Sequence, residues 1–181
     1  FSLKSLDSSS LDTVENNTDN VQIKSDNFKN GFGDWENNSS KASKVINEDG
    51  TPKVVYHGTD KGGFYVFDPK MSDDKISLFF SDNKVTSNSY AQSDNQQLYE
   101  VYLAIKKTYV IDAKGRMWNE LDDKLGNTTR EIAEKAKNQG YDGVIIENVR
   151  DMGAVVINNT TEEFYNDFIS TATGGNESTV V

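Results

Sequence analysis

The sequence predicts one domain of the α+β class, in which a mainly antiparallel sheet is flanked by a few helices. Three observations support this class. Short β-prone runs recur along the chain without an internal repeat, and only isolated segments between them carry the spacing and capping residues of a helix. A length of 181 residues suits one globular domain with a polar arm and is too short for two well-cored domains.

The two ends of the chain differ from its middle. Residues 1–26 are rich in Ser, Asp and Asn with scattered aliphatic side chains, a composition that buries too little surface to offset the ordering of the chain. We therefore expect a linker or flexible appendage over 1–26 and the folded domain over 27–181. The chain starts at Phe1 without an initiator Met and stops at Val181 in a β-branched run. We expect a fragment of a longer polypeptide with a truncated last strand.

Strands are predicted where apolar and β-branched residues alternate, or form short runs, next to turn residues. The first strand follows the turn sequence NEDG at 47–50 and leads to His57, Gly58 and Thr59 at its end. By the same criteria, strands are predicted over 53–56, 63–68, 77–81, 98–105, 109–113, 144–146, 154–157 and 179–181.

Two helices are predicted in the first half of the chain. The four- and three-residue spacing of Phe28, Phe32 and Trp35 would place their rings on one side of a short helix. Asp82 can cap a second helix that runs to about residue 92. This second helix would carry two of the candidate functional residues considered below.

Two further helices are predicted in the second half, each from a capping-box pair. Thr128 with Glu131 opens an amphipathic stretch of about ten residues that Gly140 ends. Thr160 with Glu163 opens the other. These helices complete the α part of the predicted class.

Composition excludes several classes of function. The chain has 19 Lys and Arg against 29 Asp and Glu, a net charge of -10, so we expect no nucleic-acid partner. The absence of cysteine excludes disulfides, thiolate zinc sites and a thiol nucleophile, and a single His excludes a polyhistidine metal site. No apolar run approaches the roughly 20 residues of a membrane helix. We expect a soluble monomer without a bound metal.

Three residues could carry chemistry, although each also has an ordinary structural explanation. His57 lies at a strand end beside Gly58, where the backbone can approach a ligand closely, but it could equally be a packed core side chain. Tyr90 follows Ser87 by three positions, and a ring at such a position is more often part of a core. Glu177 follows a Gly-Gly-Asn turn at the start of a strand, but acidic loop residues usually have no function. The residues alone suggest no mechanism that joins the three.

Three motifs resemble those of the His-Tyr-Glu class of ADP-ribosyltransferases, the class that contains diphtheria toxin and the poly(ADP-ribose) polymerases. VYHGT at 55–59 resembles the first-strand motif of the class, and FFSD at 79–82, continued through Ser87 and Tyr90, resembles the second motif without a gap. The pair Asn176-Glu177, followed by STVV, is similar to the strand that carries the catalytic glutamate.

The sequence is still more similar to phage- and mobile-element-encoded members of this class, which occur inside large polyvalent or minor-head proteins. The similar segments are FGDW at 32–35, ASKVI at 42–46, DGTP at 49–52, YVID at 109–112 and GYDGVII at 140–146. The resemblance runs from about Phe28 to the end of the chain. One departure is Gly31, where those relatives usually carry Trp.

This resemblance implies an ADP-ribosyltransferase fold, two packed and mainly antiparallel sheets with flanking helices and an NAD cleft, and His57, Tyr90 and Glu177 as the catalytic residues. ADP-ribosyl transfer breaks the bond between nicotinamide and ribose in NAD through a cationic sugar transition state. By similarity, Glu177 would bind the 2'-hydroxyl of the nicotinamide ribose and stabilise the positive charge that develops there.

The resemblance also implies which residues bind NAD, the co-substrate. His57 would donate to the adenosine ribose, and Tyr90 would stack on the nicotinamide ring. The Gly58 backbone and the Ser87 hydroxyl would hold the carboxamide, and Thr59 would touch the ribose. No metal takes part in this set of roles.

The acceptor is expected to be a macromolecule, and a protein in the first instance. Arginine-modifying relatives carry Glu or Gln two residues before the catalytic Glu, whereas this chain has Gly175 there, so arginine specificity is not expected. Mono-transfer is expected because nothing resembles the DNA-reading domains of the polymerases. The first hypothesis is a phage-borne effector or toxin, delivered or secreted as part of a larger polypeptide. The alternatives are an NAD glycohydrolase and a non-catalytic binding or structural module of a phage head protein.

Overall fold

A computed structural model describes residues 22–72, 75 and 77–151, and the backbone of 178–180. Three predictions lie outside the described residues: the strand over 154–157, the helix that Thr160 opens, and the candidate residue Glu177. The boundary expected after residue 26 stays a prediction. Within the described part, Ile23 is already joined to the fold, because its carbonyl accepts a hydrogen bond from Trp35 Nε1 at 3.0 Å.

Six strands form the sheet of the described residues, in the spatial order β3-β1-β2-β6-β5-β4. Their bounds are β1 Val55–Thr59, β2 Phe80–Ser81, β3 Gln97–Val101, β4 Thr108–Asp112, β5 Gly143–Glu147 and β6 Ser178–Val180. Strands β4 and β5 run parallel, which requires a crossover connection, and the other four pairings are antiparallel. The α+β class and the mainly antiparallel pairing are thereby confirmed.

The resemblance implies two sheets. In the described residues, the hydrogen bonds join the strands into one continuous sheet, which has two halves. Strand β6 pairs with β2 on one side, where Ser81 is opposite Thr179, and with β5 on the other, where Ile146 is opposite the same residue. We refer to β3, β1, β2 and the helix after β2 as the β1–β2 half. The β4–β5 half comprises these two strands and the crossover between them.

Three α-helices lie wholly within the described residues: α1 Asp26–Phe32, α2 Lys84–Asn88 and α3 Thr129–Asn138. Two short 3-10 helices, Ser39–Lys41 and Pro69–Met71, lie in the loops. The prediction for α3 is confirmed: the helix has 10 residues, and Thr128 Oγ1 accepts from the Glu131 amide at 3.1 Å. The Glu131 carboxylate reaches back to the Asn127 amide at 2.9 Å, one residue further than a capping box places it.

The bounds predicted for α1 and α2 need correction. Phe28 and Phe32 stack with ring centroids 5.0 Å apart, but α1 ends before Gly33, whose φ of 103° suits glycine, and Trp35 therefore lies outside the helix. Helix α2 is capped by Asn83, whose side chain accepts from two backbone amides, rather than by Asp82, and it ends at Asn88. Tyr90 consequently follows α2 instead of lying on it.

The strand predicted over 63–68 is wrong. Phe64 and Phe67 both turn inward and lie 5.2 Å apart, whereas Tyr65 is 99% and Val66 76% exposed. Inward residues three positions apart do not match the two-residue period of a strand. This segment is a loop after β1, held by its two phenylalanine rings.

Two clusters of buried residues form the described core. The larger one lies between α3 and the strands β4 and β5, with Ile132 and Ile146 fully buried. Its members are Ile111, Ala113, Leu121, Leu125, Ile132, Ala136, Val144, Ile146 and Val149. The smaller one, in the β1–β2 half, consists of Val45, Val55 and Phe80. Partly buried side chains, Phe67 and Leu78 among them, pack against the smaller cluster.

Candidate active site

The strand β1 carries three of the predicted site residues, His57, Gly58 and Thr59. It pairs along its whole length with β3, whereas its register with β2 consists of Tyr56 opposite Ser81. The edge of β1 beyond Tyr56 thus has no strand partner in β2. The predicted site residues lie along this edge.

His57 makes its hydrogen bond to the residue that precedes β2. Its Nδ1 lies 2.7 Å from the carbonyl oxygen of Phe79. Because a carbonyl oxygen only accepts, Nδ1 carries the proton. Burial lowers the pKa of His57 below its ordinary value of 6.5, and the bond to Phe79 offsets part of that effect. At neutral pH the imidazole is therefore uncharged, and its Nε2 is a hydrogen-bond acceptor.

The His57 ring lies in a group of aromatic side chains. Its centroid is 5.3 Å from that of Phe80 and 5.4 Å from that of Phe67, and the other rings within 6.5 Å are those of Phe64 and Tyr99. Tyr99 also accepts hydrogen bonds from the backbone amides of the loop at 63 and 64. The imidazole is thus oriented by one hydrogen bond and by rings on several sides.

Gly58 is the point at which α2 approaches β1. A Cβ atom on Gly58 would lie 1.7 Å from the carbonyl oxygen of Ser87, so no other residue fits without moving the helix. Ser87 is buried, with 4% of its surface exposed, and its hydroxyl donates to the Tyr56 carbonyl at 2.8 Å. The structure therefore brings Gly58 and Ser87 into direct contact.

Tyr90 follows α2 and has a partly open ring. Its side chain is 43% exposed, and its hydroxyl donates to the Asp151 carboxylate at 2.7 Å. Asp151 is only 8% exposed. Burial raises the pKa of this carboxyl group above its ordinary value of 3.8, and the hydrogen bond from Tyr90 partly counteracts that shift.

Asp60 joins the end of β1 to the segment after Tyr90. Its carboxylate accepts from the backbone amides of Gln92 at 2.6 Å and Ser93 at 3.0 Å. The Ser93 hydroxyl returns a bond to the Asp60 backbone carbonyl at 2.7 Å. The two motifs that carry His57 and Tyr90 are thus tied together twice, by Ser87 in the last turn of α2 and by Asp60 beyond Tyr90.

The third candidate, Glu177, lies outside the described residues. The residue after it, Ser178, begins β6, which lies between β2 and β5. The strand that follows Glu177 in the sequence is therefore next to the strand that carries Phe80 and Ser81.

The described candidates do not all lie on one face of β1. Neighbouring residues of a strand point to opposite sides, so the His57 ring and the Gly58 contact with Ser87 are on different faces. Thr59 shares the face of His57, and its hydroxyl accepts from the Lys61 amide at 3.1 Å. A ligand that touches both His57 and Tyr90 would have to cross the β1 edge near Gly58.

Sequence reasoning missed Asp60 and Asp151. Asp60 directly follows the VYHGT motif, and this position alone could have marked it as a loop-fixing residue. Nothing in the spacing around Asp151 indicates that the carboxylate is buried or that it meets a tyrosine 61 residues away. The hydrogen bond between Asp151 and Tyr90 depends on how the segment after α2 packs beside the segment after β5.

The described residues contain neither a candidate metal cluster nor a candidate membrane-spanning helix. No group of three or more His, Cys, Asp or Glu side chains is arranged to hold a metal ion there. Among the helices of the same residues, none has both the length and the apolar character that crossing a membrane requires.

Comparison with known proteins identifies the family. The model of the family described as ADP-ribosyltransferase in polyvalent proteins matches residues 47–178. No curated protein and no solved structure gave a significant match. The matched range covers most of the chain, from the turn before β1 to the first residue of β6. The chain therefore belongs to the ADP-ribosyltransferase family of polyvalent proteins.

Proposed function

We propose that this domain is an NAD-dependent mono-ADP-ribosyltransferase that transfers ADP-ribose from NAD to a macromolecular acceptor, a protein in the first instance. Membership of the family supports ADP-ribosyl transfer in general. The observation that carries the specific proposal is the packing of α2 on β1. It brings Ser87 against Gly58 at the edge of β1 that β2 does not cover, and Tyr90 follows in a turn that begins at Ser87.

The described residues fit the chemistry of a dinucleotide. The partly exposed Tyr90 ring offers a stacking surface for nicotinamide. The Ser87 hydroxyl, which donates to Tyr56, keeps lone pairs that can accept from a carboxamide N–H. His57 Nε2, as an acceptor, would receive a hydrogen bond from a ribose hydroxyl, which reverses the direction expected from the resemblance.

The proposal assigns the chemical step to Glu177. Cleavage of the bond between nicotinamide and ribose develops positive charge on the sugar, and a carboxylate close to the 2'-hydroxyl stabilises that charge. The position of Glu177, one residue before β6, supports this role because β6 is the neighbour of β2. Such an interaction is stronger in the transition state than in the bound substrate, so its loss lowers kcat.

Label transfer from NAD tests the proposal. The protein is incubated with bacterial lysate and NAD labelled in the adenosine part, and labelled protein is measured with nicotinamide release. We expect label on a protein acceptor, and at least about a hundredfold loss of both signals in Glu177→Gln, since one group that stabilises transition-state charge contributes about that factor or more. Glu134→Gln is the matched control, because Glu134 is exposed on α3. Equal activity of Glu177→Gln and wild type would show that Glu177 is not catalytic.

The same experiment separates the alternatives. Nicotinamide release without labelled protein would identify an NAD glycohydrolase, in which water is the acceptor. Neither signal, together with no NAD binding at millimolar concentration, would favour a non-catalytic module. The resemblance to phage- and mobile-element-encoded relatives supports an effector or toxin role. Mass spectrometry of the lysate would test that role by naming the modified protein and residue.

A further inference from the structure

We propose that Asp151 is a positioning residue, whose carboxylate fixes the Tyr90 ring in the orientation that stacks on nicotinamide. The inference rests on the proposed function and extends it to a residue outside the motifs of the resemblance. It starts from the hydrogen bond of 2.7 Å between the Tyr90 hydroxyl and Asp151 Oδ1.

The two ends of the Tyr90 side chain lie in different surroundings. The hydroxyl binds a carboxylate that is 8% exposed, whereas the side chain as a whole is 43% exposed. A partly exposed tyrosine whose hydroxyl is held by a hydrogen bond has lost rotational freedom before a ligand arrives. Pre-ordering of this kind strengthens binding because less side-chain entropy is lost in the complex.

Helix α2 does not define the orientation of Tyr90. The helix ends at Asn88, two residues earlier, and the Tyr90 amide makes a turn-type bond of 3.2 Å to the Ser87 carbonyl. The bond to Asp151 is a long-range restraint that joins this ring to the segment after β5. Burial of a carboxylate is unfavourable unless it accepts hydrogen bonds. Loss of the bond would therefore leave the buried Asp151 carboxylate without the Tyr90 donor, and this cost helps to keep the Tyr90 hydroxyl in place.

A second tyrosine–aspartate pair of the same chemistry provides an internal control. The Tyr109 hydroxyl donates to Asp123 at 2.8 Å. The Tyr109 ring packs on Tyr141, with centroids 5.4 Å apart, beside the core of the β4–β5 half. This pair has the hydrogen bond of the Tyr90 pair but lies outside the candidate site.

The test is the affinity of the whole 181-residue protein for NAD, measured by titration calorimetry with melting temperatures recorded in parallel. We expect Asp151→Ala and Tyr90→Phe each to raise the Kd about threefold to tenfold, the range that corresponds to immobilising one side chain. The double variant should bind no more weakly than the weaker single variant, because both substitutions remove the same bond. Asp151→Asn keeps an acceptor oxygen and should stay within about twofold of wild type.

The control separates positioning from stability. Tyr109→Phe likewise removes a tyrosine donor from a carboxylate, although the Leu125 amide still donates to Asp123 at 2.8 Å. It should lower the melting temperature but leave the Kd for NAD unchanged. The inference fails if wild type binds NAD and Tyr90→Phe binds equally well, or if Asp151→Asn binds as weakly as Asp151→Ala. If Asp151→Ala does not fold, Tyr90→Phe carries the test. Absence of NAD binding by wild type would overturn the proposed function itself, and this inference with it.

Discussion

The two halves of the sheet are stabilised in different ways. In the β4–β5 half, nine buried apolar residues pack between α3 and two parallel strands. The apolar cluster of the β1–β2 half has three buried members, and β2, α2 and the residue after α2 bring buried hydroxyl groups instead. These are Ser81, Thr86, Ser87 and Ser89, with at most 6% of their surface exposed.

This difference separates the scaffold from the candidate site. Apolar burial is non-directional, and it stabilises the β4–β5 half without fixing any one polar atom. Buried hydroxyls must find partners with defined geometry, as Ser87 does with Tyr56 and Ser89 Oγ with the Thr86 carbonyl. The β1–β2 half is therefore specified by hydrogen bonds, which hold polar groups where a ligand could use them. Substitutions in the two halves should have different consequences.

The largest expected effect is on stability, in the β4–β5 half. Ile132→Ala, at a fully buried position, should lower the free energy of unfolding by about 3 kcal/mol through lost burial and the cavity left behind. Chemical denaturation measures this loss, and the Kd of the remaining folded protein for NAD should not change. Glu134→Ala, on the exposed side of the same helix, serves as the control. A change in NAD affinity upon Ile132→Ala would mean that the two halves are coupled.

A glycine substitution in the β1–β2 half should reduce both stability and NAD binding. Gly58→Ala places a methyl group against the Ser87 carbonyl, so α2 has to move. We expect a loss of about 2 kcal/mol in stability, typical of overpacking, and loss of NAD binding because Ser87 and Tyr90 move with the helix. Denaturation and calorimetry measure the two effects.

Gly31→Ala is the matched control for that substitution. Nothing lies within 4 Å of a Cβ atom at Gly31, which is within α1. Alanine there should stabilise the protein by about 0.5 kcal/mol by restricting the unfolded chain. Unchanged NAD binding in Gly58→Ala would contradict the role given to the contact between α2 and β1.

The smallest expected effect concerns the single imidazole. The pKa of His57 is lowered in the folded protein, so between that value and its ordinary 6.5 the unfolded chain binds more protons. The free energy of unfolding should therefore decrease as the pH is lowered through this window, and His57→Gln should remove that part of the pH dependence. Because the chain has one His, its NMR titration is unambiguous. A pKa above 6.5 would contradict the dominant effect of burial, and a neutral form protonated at Nε2 would contradict the hydrogen-bond assignment.

The sequence by itself determined the class, the strands β4 and β5, the cap and length of α3, and the family. It determined β1 only in part, because the strand predicted over 53–56 is found over Val55–Thr59. These features depend on neighbouring residues: the alternation of apolar side chains sets a strand, and Thr128 with Glu131 sets a helix start. The choice of His57, Gly58, Thr59, Ser87 and Tyr90 came from motif resemblance, and their roles, like that of Glu177, remain proposals.

Only the tertiary structure decided how distant segments meet. In the folded protein, β6 joins the two halves of the sheet. The segment 63–68 is a loop and not the predicted strand, and α2 ends before Tyr90. The tertiary structure also chose the tautomer of His57, through a carbonyl 22 residues away, and the partner of Tyr90, through a carboxylate 61 residues away. Local patterns carry no information about such pairings, because a long-range hydrogen bond depends on how the elements pack and not on the spacing along the chain.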